Sequence, residues 1–278
     1  MGMTRVLLTV FASAVVYAAP ALHLVQTAVS DIDGGPPNPV TFEYRPGQVV
    51  YFTCRVSGYT QDKGQQVHLA YSVQAFDARD VPVAEISKEN LSAEVTAQDK
   101  EWLPKIDAAI SLPSLLFSGE YKIVAKVEDL VTKTSADLTV SFKVRSHDDV
   151  QPSEALAVRA FRFLRNEEDT RPAERAAYRA GDHLWARFAI VGFRAGPGNK
   201  VDVSYVTSVL GPDGKTLWTQ PEPAGEQEDS FYPKPYIQAE MGIEIQARIK
   251  PGQYQLMVQA KDAIGKQTCE LKQPFTIE

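Results

Sequence analysis

The chain is written twice. Residues 44–59, YRPGQVVYFTCRVSGY, lie over residues 178–193, YRAGDHLWARFAIVGF, at a spacing of 134 (178 minus 44), and Gly58/Gly192, Gly64/Gly198, Val67/Val201 and Tyr71/Tyr205 keep the same spacing. Further on, Gly119, Tyr121, Asp129, Lys133 and Phe142 pair with Gly252, Tyr254, Asp262, Lys266 and Phe275 at a spacing of 133. A repeat of this length predicts two copies of one domain, each long enough to bury its own core.

Hydrophobic periodicity sets the class of that domain. Ile237, Ala239, Met241, Ile243, Ile245, Ala247 and Ile249 occupy every second position, as do Ile106, Ala108, Ile110 and Leu112 in the first copy. A strand puts such residues on one face, whereas a helix would scatter them round its circumference. The same reading predicts first strands at 22–29 and 157–164, second strands at 49–56 and 183–191, third strands at 67–76 and 201–210, and short fourth strands at 81–86 and 216–219. The clearest late strand is GEYKIVAKVED, residues 119–129, repeated as GQYQLMVQAKD, residues 252–262, and a last strand closes each copy. Turn chemistry, GGPPNP from Gly34, DARD from Asp77 and GPDG from Gly211, separates them. Two acidic stretches, 88–100 and 221–230, read as solvated, mobile loops. The expected fold class is all-β: two tandem β-sandwiches of about seven strands each.

Ser118-Gly119-Glu120-Tyr121-Lys122-Ile123 and Pro251-Gly252-Gln253-Tyr254-Gln255-Leu256 resemble the passage that opens strand F of the immunoglobulin fold, where the tyrosine can make a tyrosine corner. The resemblance is to bacterial immunoglobulin-like or macroglobulin-like sandwiches. It implies that Ile123 and Leu256 stand where the family carries its strand F cysteine, with Cys54 and Phe188 opposite on strand B, so apolar packing replaces the intersheet disulfide. The strand C tryptophan is replaced by Tyr71 and Tyr205. These motifs specify a fold and leave function open.

The first residues carry Arg5, an apolar run from Val6 to Val16 and the small-residue pattern Val16-Tyr17-Ala18, with Pro20 following. This is the layout of a signal peptide cut after Ala18, and the apolar run is shorter than the roughly 20 residues that span a bilayer. The expected organisation is therefore 1–18 signal peptide, 19–149 first domain and 150–278 second domain, with no membrane span after cleavage. The linker, RSHDDVQPSEA from Arg145, is polar. Export to a periplasmic or extracellular space favours disulfides, but Cys54 and Cys269 fall in different domains and read as two free thiols, with an interdomain disulfide as the alternative. The formal charge of −6, which becomes −7 without Arg5 (28 basic against 35 acidic), would repel a phosphate backbone, so nucleic acid is not an expected partner.

Four histidines, His23, His68, His147 and His183, share no ligand spacing with one another, with a cysteine or with a carboxylate. No nucleophile elbow, metalloprotease helix or phosphate-binding glycine loop is written in the chain. No catalytic residue, metal ligand or cofactor is predicted; linker carboxylates Asp148, Asp149 and Glu154 fall short of the six or more oxygens that Ca²⁺ takes. The informative side chains are aromatic. Trp102-Leu103-Pro104-Lys105 and Phe231-Tyr232-Pro233-Lys234-Pro235-Tyr236 precede the fifth strand of each copy. Such rings either cap the open ends of the sandwiches or, on proline-stiffened loops, contact a partner or a sugar. Trp102, Phe231, Tyr232 and Tyr236 are thus the candidate contact residues. The expected function is a non-enzymatic exported binding or structural module acting on another envelope or extracellular protein. A carbohydrate-binding module using those rings and a hydrolase with a composite loop site are the alternatives.

Overall fold

The structure is a computed structural model that describes residues 21–278 apart from 97, 100 and 147–149. The expected signal peptide, His147, the linker carboxylates Asp148 and Asp149, and the boundary between 149 and 150 lie outside the described residues. The fold is all-β. Strands β1 (His23–Ser30), β3 (Val49–Ser57) and β6 (Lys105–Ser111) form one sheet in the order β1-β3-β6. Strands β2 (Glu43–Tyr44), β4 (Gln66–Phe76), β5 (Ser87–Glu94), β7 (Gly119–Asp129) and β8 (Ser135–Val144) form the facing sheet, ordered β2-β8-β7-β4-β5. Alternate residues point inward, and Phe52, Cys54, Leu69 and Ile123 meet in one buried cluster.

The second sandwich repeats this. Strands β9 (Ala157–Leu164), β11 (His183–Val191) and β15 (Tyr236–Glu244) make the small sheet; β10 (Ala177–Tyr178), β12 (Val201–Leu210), β13 (Thr216–Thr219), β14 (Ala224–Glu228), β16 (Gly252–Asp262) and β17 (Gln267–Ile277) make the large one. Eight and nine strands replace the expected seven. The additions are the two-residue strands β2 and β10, each pairing in parallel with the last strand of its domain, and the edge strands beside β4 and β12.

Those edge strands correct two expectations. The stretch 81–86 is no strand and holds only a single bridge, Phe76 to Pro82, whereas Ser87–Glu94, read as the start of a loop, pairs along β4 from Val73 to Gln66. Likewise β14 occupies 224–228 of the second supposed loop and pairs with the first half of β12. An unpaired edge of β4 or β12 would leave backbone N–H and C=O groups without partners, and this ladder supplies them despite the acidic composition. Tyr71 strengthens it by donating its hydroxyl hydrogen to Glu89 at 2.8 Å. The fifth strand of the second copy also stops early, at Glu244, and residues 246–249 turn.

Details below the level of strands are duplicated too. The first strand of each domain bulges where Gln26 and Ala160 take φ of 50° and 49°. Gly58 and Gly192 both have φ of +74°, and a Cβ on either would lie 2.1 or 2.0 Å from the carbonyl oxygen of Ala21 or Ala155, so only glycine fits. Both tyrosine corners are formed: Tyr121 donates to the Phe117 carbonyl at 3.0 Å and Tyr254 to that of Lys250 at 2.7 Å. Asp129 and Asp262 are fully buried, and each accepts three backbone N–H groups, from Thr60, Val131 and Thr132 or from Arg194, Ile264 and Gly265. Each carboxylate ties the turn after its own strand to a loop of the opposite side of the sandwich. Burial opposes ionisation of Asp129, but these amide hydrogen bonds outweigh it and hold its carboxyl below the ordinary range. Cys54 and Phe188 pack against the sheet carrying Ile123 and Leu256, all four 0–1% exposed, and both cysteines are free.

Candidate interaction site at the sandwich ends

The two domains meet through the aromatic loop that precedes β15. Tyr232 leaves its own domain and its ring joins the buried cluster of domain 1. Its hydroxyl donates to Asp77 Oδ2 at 3.1 Å; Asp77 Oδ1 accepts the N–H groups of Arg79 and Val81 at 2.8 and 2.9 Å, and the Arg79 guanidinium lies 3.1 Å from Oδ2. Burial, aided by the neighbouring Asp77 charge, pushes the Tyr232 phenol up to about 12. Burial also acts against the Asp77 charge, yet the amides of Val81 and Arg79, the guanidinium and the phenol together hold its carboxyl below the usual range. Tyr236 completes the joint: its ring sits 5.8 Å from Phe117 and its hydroxyl 3.1 Å from Ser146 Oγ. Val150, Ala189 and Val191 form a small apolar cluster with Tyr236, packed against Leu115 and Phe117.

The candidate contact rings therefore part company. Tyr232 is 6% exposed and Tyr236 1%, so both are spent on the other domain and do not face solvent. Phe231 is 55% exposed; the Asn199 side-chain amide donates to its carbonyl, which fixes the loop and leaves the ring outside. Trp102 is half-buried against the edge of Tyr59, whose hydroxyl donates to the Trp102 carbonyl at 2.8 Å. The strand registers show why the two aromatic motifs behave differently. Lys105 pairs with Arg55, whereas Ala189, the counterpart of Arg55, pairs with Gln238, four residues beyond Lys234. The Phe-Tyr-Pro-Lys stretch thus precedes its strand by four more residues, enough to carry Tyr232 into domain 1.

The end of domain 1 that receives Tyr232 has an open counterpart in domain 2. There a groove of about 590 Å³ is lined by Leu217, Trp218, Ile243, Ile245, Ile249 and Tyr254, with Glu244 and Lys250 at its rim. In domain 1 the matching positions are Val83, Ala84, Ile110, Leu112, Leu116 and Tyr121. Val83 is 2% exposed where Leu217 is 57% exposed, and Leu116 is fully buried where Ile249 is half-buried. The position of Asp77 is taken by Gly211, which keeps the same turn: Asp77 N–H donates to Val81 O and Gly211 N–H to Lys215 O. Sequence reasoning missed this site because Leu217 and Trp218 fit a short strand; the signal was the loss of Asp77 at a spacing of 134.

The outer face of the large sheet of domain 1 carries a shallow groove of about 400 Å³ among Ser72, Gln74, Lys88, Lys122 and Lys126. His68 lies 3.0 Å from Ser92 Oγ and 3.3 Å from Asp62 Oδ2 on the same face. Among the described residues no three of His, Cys, Asp and Glu gather where they could hold a metal ion, and no helix is long and apolar enough to cross a membrane.

No family model and no curated protein matches the chain. Among solved structures it is similar to the C-terminal domain of the antigen I/II polypeptide BspA of Streptococcus agalactiae, at 10% identity and a TM-score of 0.29, over 91% of this chain and 99% of that one.

Proposed function

We propose that the chain is a non-enzymatic exported module of two immunoglobulin-like domains, residues 19–149 and 150–278, that acts by protein–protein contact in the cell envelope or outside the cell. The observation that carries this reading is the apolar groove at one end of domain 2, whose counterpart in domain 1 is closed by a protein side chain. An apolar concavity with exposed Leu217 and half-buried Trp218 is the kind of surface that gains from being covered. Protein contact is favoured over a glycan because two of the four rings that a glycan site would use, Tyr232 and Tyr236, are engaged inside the molecule.

The test is a binding comparison between the wild-type protein and Leu217→Lys, which charges the groove at its most exposed apolar position. Immobilised wild-type protein is expected to retain an envelope or extracellular protein that the variant loses, with the thermal midpoint unchanged. Equal retention by both proteins would remove the groove from the reading. Export is tested by the mass of the protein recovered outside the cytoplasm, expected to begin at residue 19.

A further inference from the structure

The groove of domain 2 comes with a worked example of its ligand, because the same end of domain 1 is filled by Tyr232, a ring followed by proline on a loop of the adjoining sandwich. Resting on the reading of the groove as a protein-binding site, we propose that it takes an aromatic side chain immediately followed by proline, presented on a loop of a partner protein, and that it selects a ring without a hydroxyl. Three observations lead there. Six of the apolar lining positions have their counterparts in the buried cluster of domain 1 that Tyr232 joins, or packed against it. The groove, at about 590 Å³, lies within the roughly 300–1,000 Å³ of sites that bury a small ligand, which accommodates a ring and the proline behind it. Selectivity follows from Gly211. In domain 1 the Tyr232 hydroxyl is received by Asp77, itself held by two amides and Arg79. In domain 2 that position is Gly211, and the nearest carboxylate, Asp213, is more than half exposed, already accepts the Lys215 N–H at 3.1 Å and pairs with the Lys215 ammonium at 3.2 Å. A phenol seated as Tyr232 is seated would have to draw Asp213 away from Lys215 or bury its hydroxyl without an acceptor, while a phenyl ring would not. The proline shortens the list of loop conformations to be frozen on binding, as Pro233 and Pro235 do in the donor loop of this chain.

The probes are two heptapeptides, Ser-Phe-Tyr-Pro-Lys-Pro-Tyr, which copies residues 230–236, and the same peptide carrying the Tyr232→Phe change. Binding is read on the full chain from the NMR signals of the Trp218 indole and the Leu217, Ile243 and Tyr254 amides. Both peptides are expected to shift these signals, the phenylalanine form binding about tenfold tighter, the value of one unsatisfied buried hydroxyl. Gly211→Asp, whose backbone φ is not in the left-handed region and whose Cβ needs the side chains of Asp213 and Leu217, each at 3.2 Å, to give by a few tenths of an ångström, should reverse the preference. Leu217→Lys should abolish both interactions. The proposal is overturned if neither peptide moves the groove signals at millimolar concentration, if Gly211→Asp leaves the order of the peptides unchanged, or if the peptide-free protein self-associates through the groove, which would make a second copy the occupant. Should Leu217→Lys lose an envelope partner while neither peptide perturbs Trp218, the groove remains a protein site of another chemistry and only the aryl-proline assignment falls.

Discussion

Domain 1 and domain 2 share the order of their common strands, first-strand bulges, tyrosine corners and buried turn aspartates, and differ in the strands at one sheet edge and at one end. In domain 1 that end is closed by Tyr232 and capped by Asp77; in domain 2 it is open and carries Gly211. What each sandwich needs for its own stability is present in both copies, and the difference lies where a copy meets, or does not meet, the other. Inside a domain, a change has to satisfy packing and hydrogen bonds that are already complete. At an end, the constraint comes from whatever sits next to it.

The comparison can be strained hardest at its shared features. Asp129→Ala and Asp262→Ala each orphan three backbone N–H groups, and both are expected to cost about 3 kcal/mol or more. Calorimetry should find the loss in whichever domain carries the change; a large effect in one domain alone would break the claimed equivalence. Tyr232→Ala should act across the boundary instead. Removing a buried ring from domain 1 should cost that domain about 3–5 kcal/mol although the residue belongs to domain 2. If the unfolding midpoint of domain 2 falls and that of domain 1 does not, the joint described above is wrong.

Smaller effects sharpen the contrast. Tyr121→Phe and Tyr254→Phe each delete one corner hydrogen bond, and denaturant unfolding should report about 1 kcal/mol apiece. Alkaline pH should act on the joint along with the other buried phenols, those of Tyr71, Tyr121 and Tyr178, which burial also raises. The Tyr232 phenol titrates at about 12 in the folded protein against 10.0 for an unperturbed tyrosine, so the folded state holds its proton where the unfolded state has lost it. Its contribution is intact below pH 10.0 and lost as pH rises toward about 12, and Tyr232→Phe should remove that part of the alkaline loss in domain 1. The mildest expectation concerns the thiols. Burial pushes Cys54 up to about 11 and raises Cys269 as well, and Cys54 is the more deeply buried. Thiol labelling near neutral pH should therefore reach Cys269 first and Cys54 only on unfolding.

Much of the fold was legible because period-2 patterning survives without context. Strands at 157–164, 183–191 and 201–210 lie where alternation placed them, since each has an apolar face that a sandwich core buries, and the strand at 216–219 also lies where it was read although it buries no residue. Strand β5 was not legible: two of its inward positions hold Ser87 and Glu89, and its stability comes from the backbone of β4 and the Tyr71 hydroxyl, none of which is local. The site was half legible. The proline-flanked rings were visible as unusual, but the acceptor of Tyr232 lies 155 residues away, so the sequence could not say that the ring was already occupied.

The corner of domain 1 has a mechanical consequence. The carbonyl that Tyr121 holds belongs to Phe117, and the Phe117 ring touches Tyr236, so the corner and the joint share a residue. In domain 2 the equivalent carbonyl belongs to the exposed Lys250, which makes no contact with domain 1 among the described residues. A molecule pulled from its two ends would carry the load of domain 1 through a braced corner and that of domain 2 through an unbraced one. Domain 2 would yield first, and a ligand seated in its groove, against Tyr254, would raise the force at which it does.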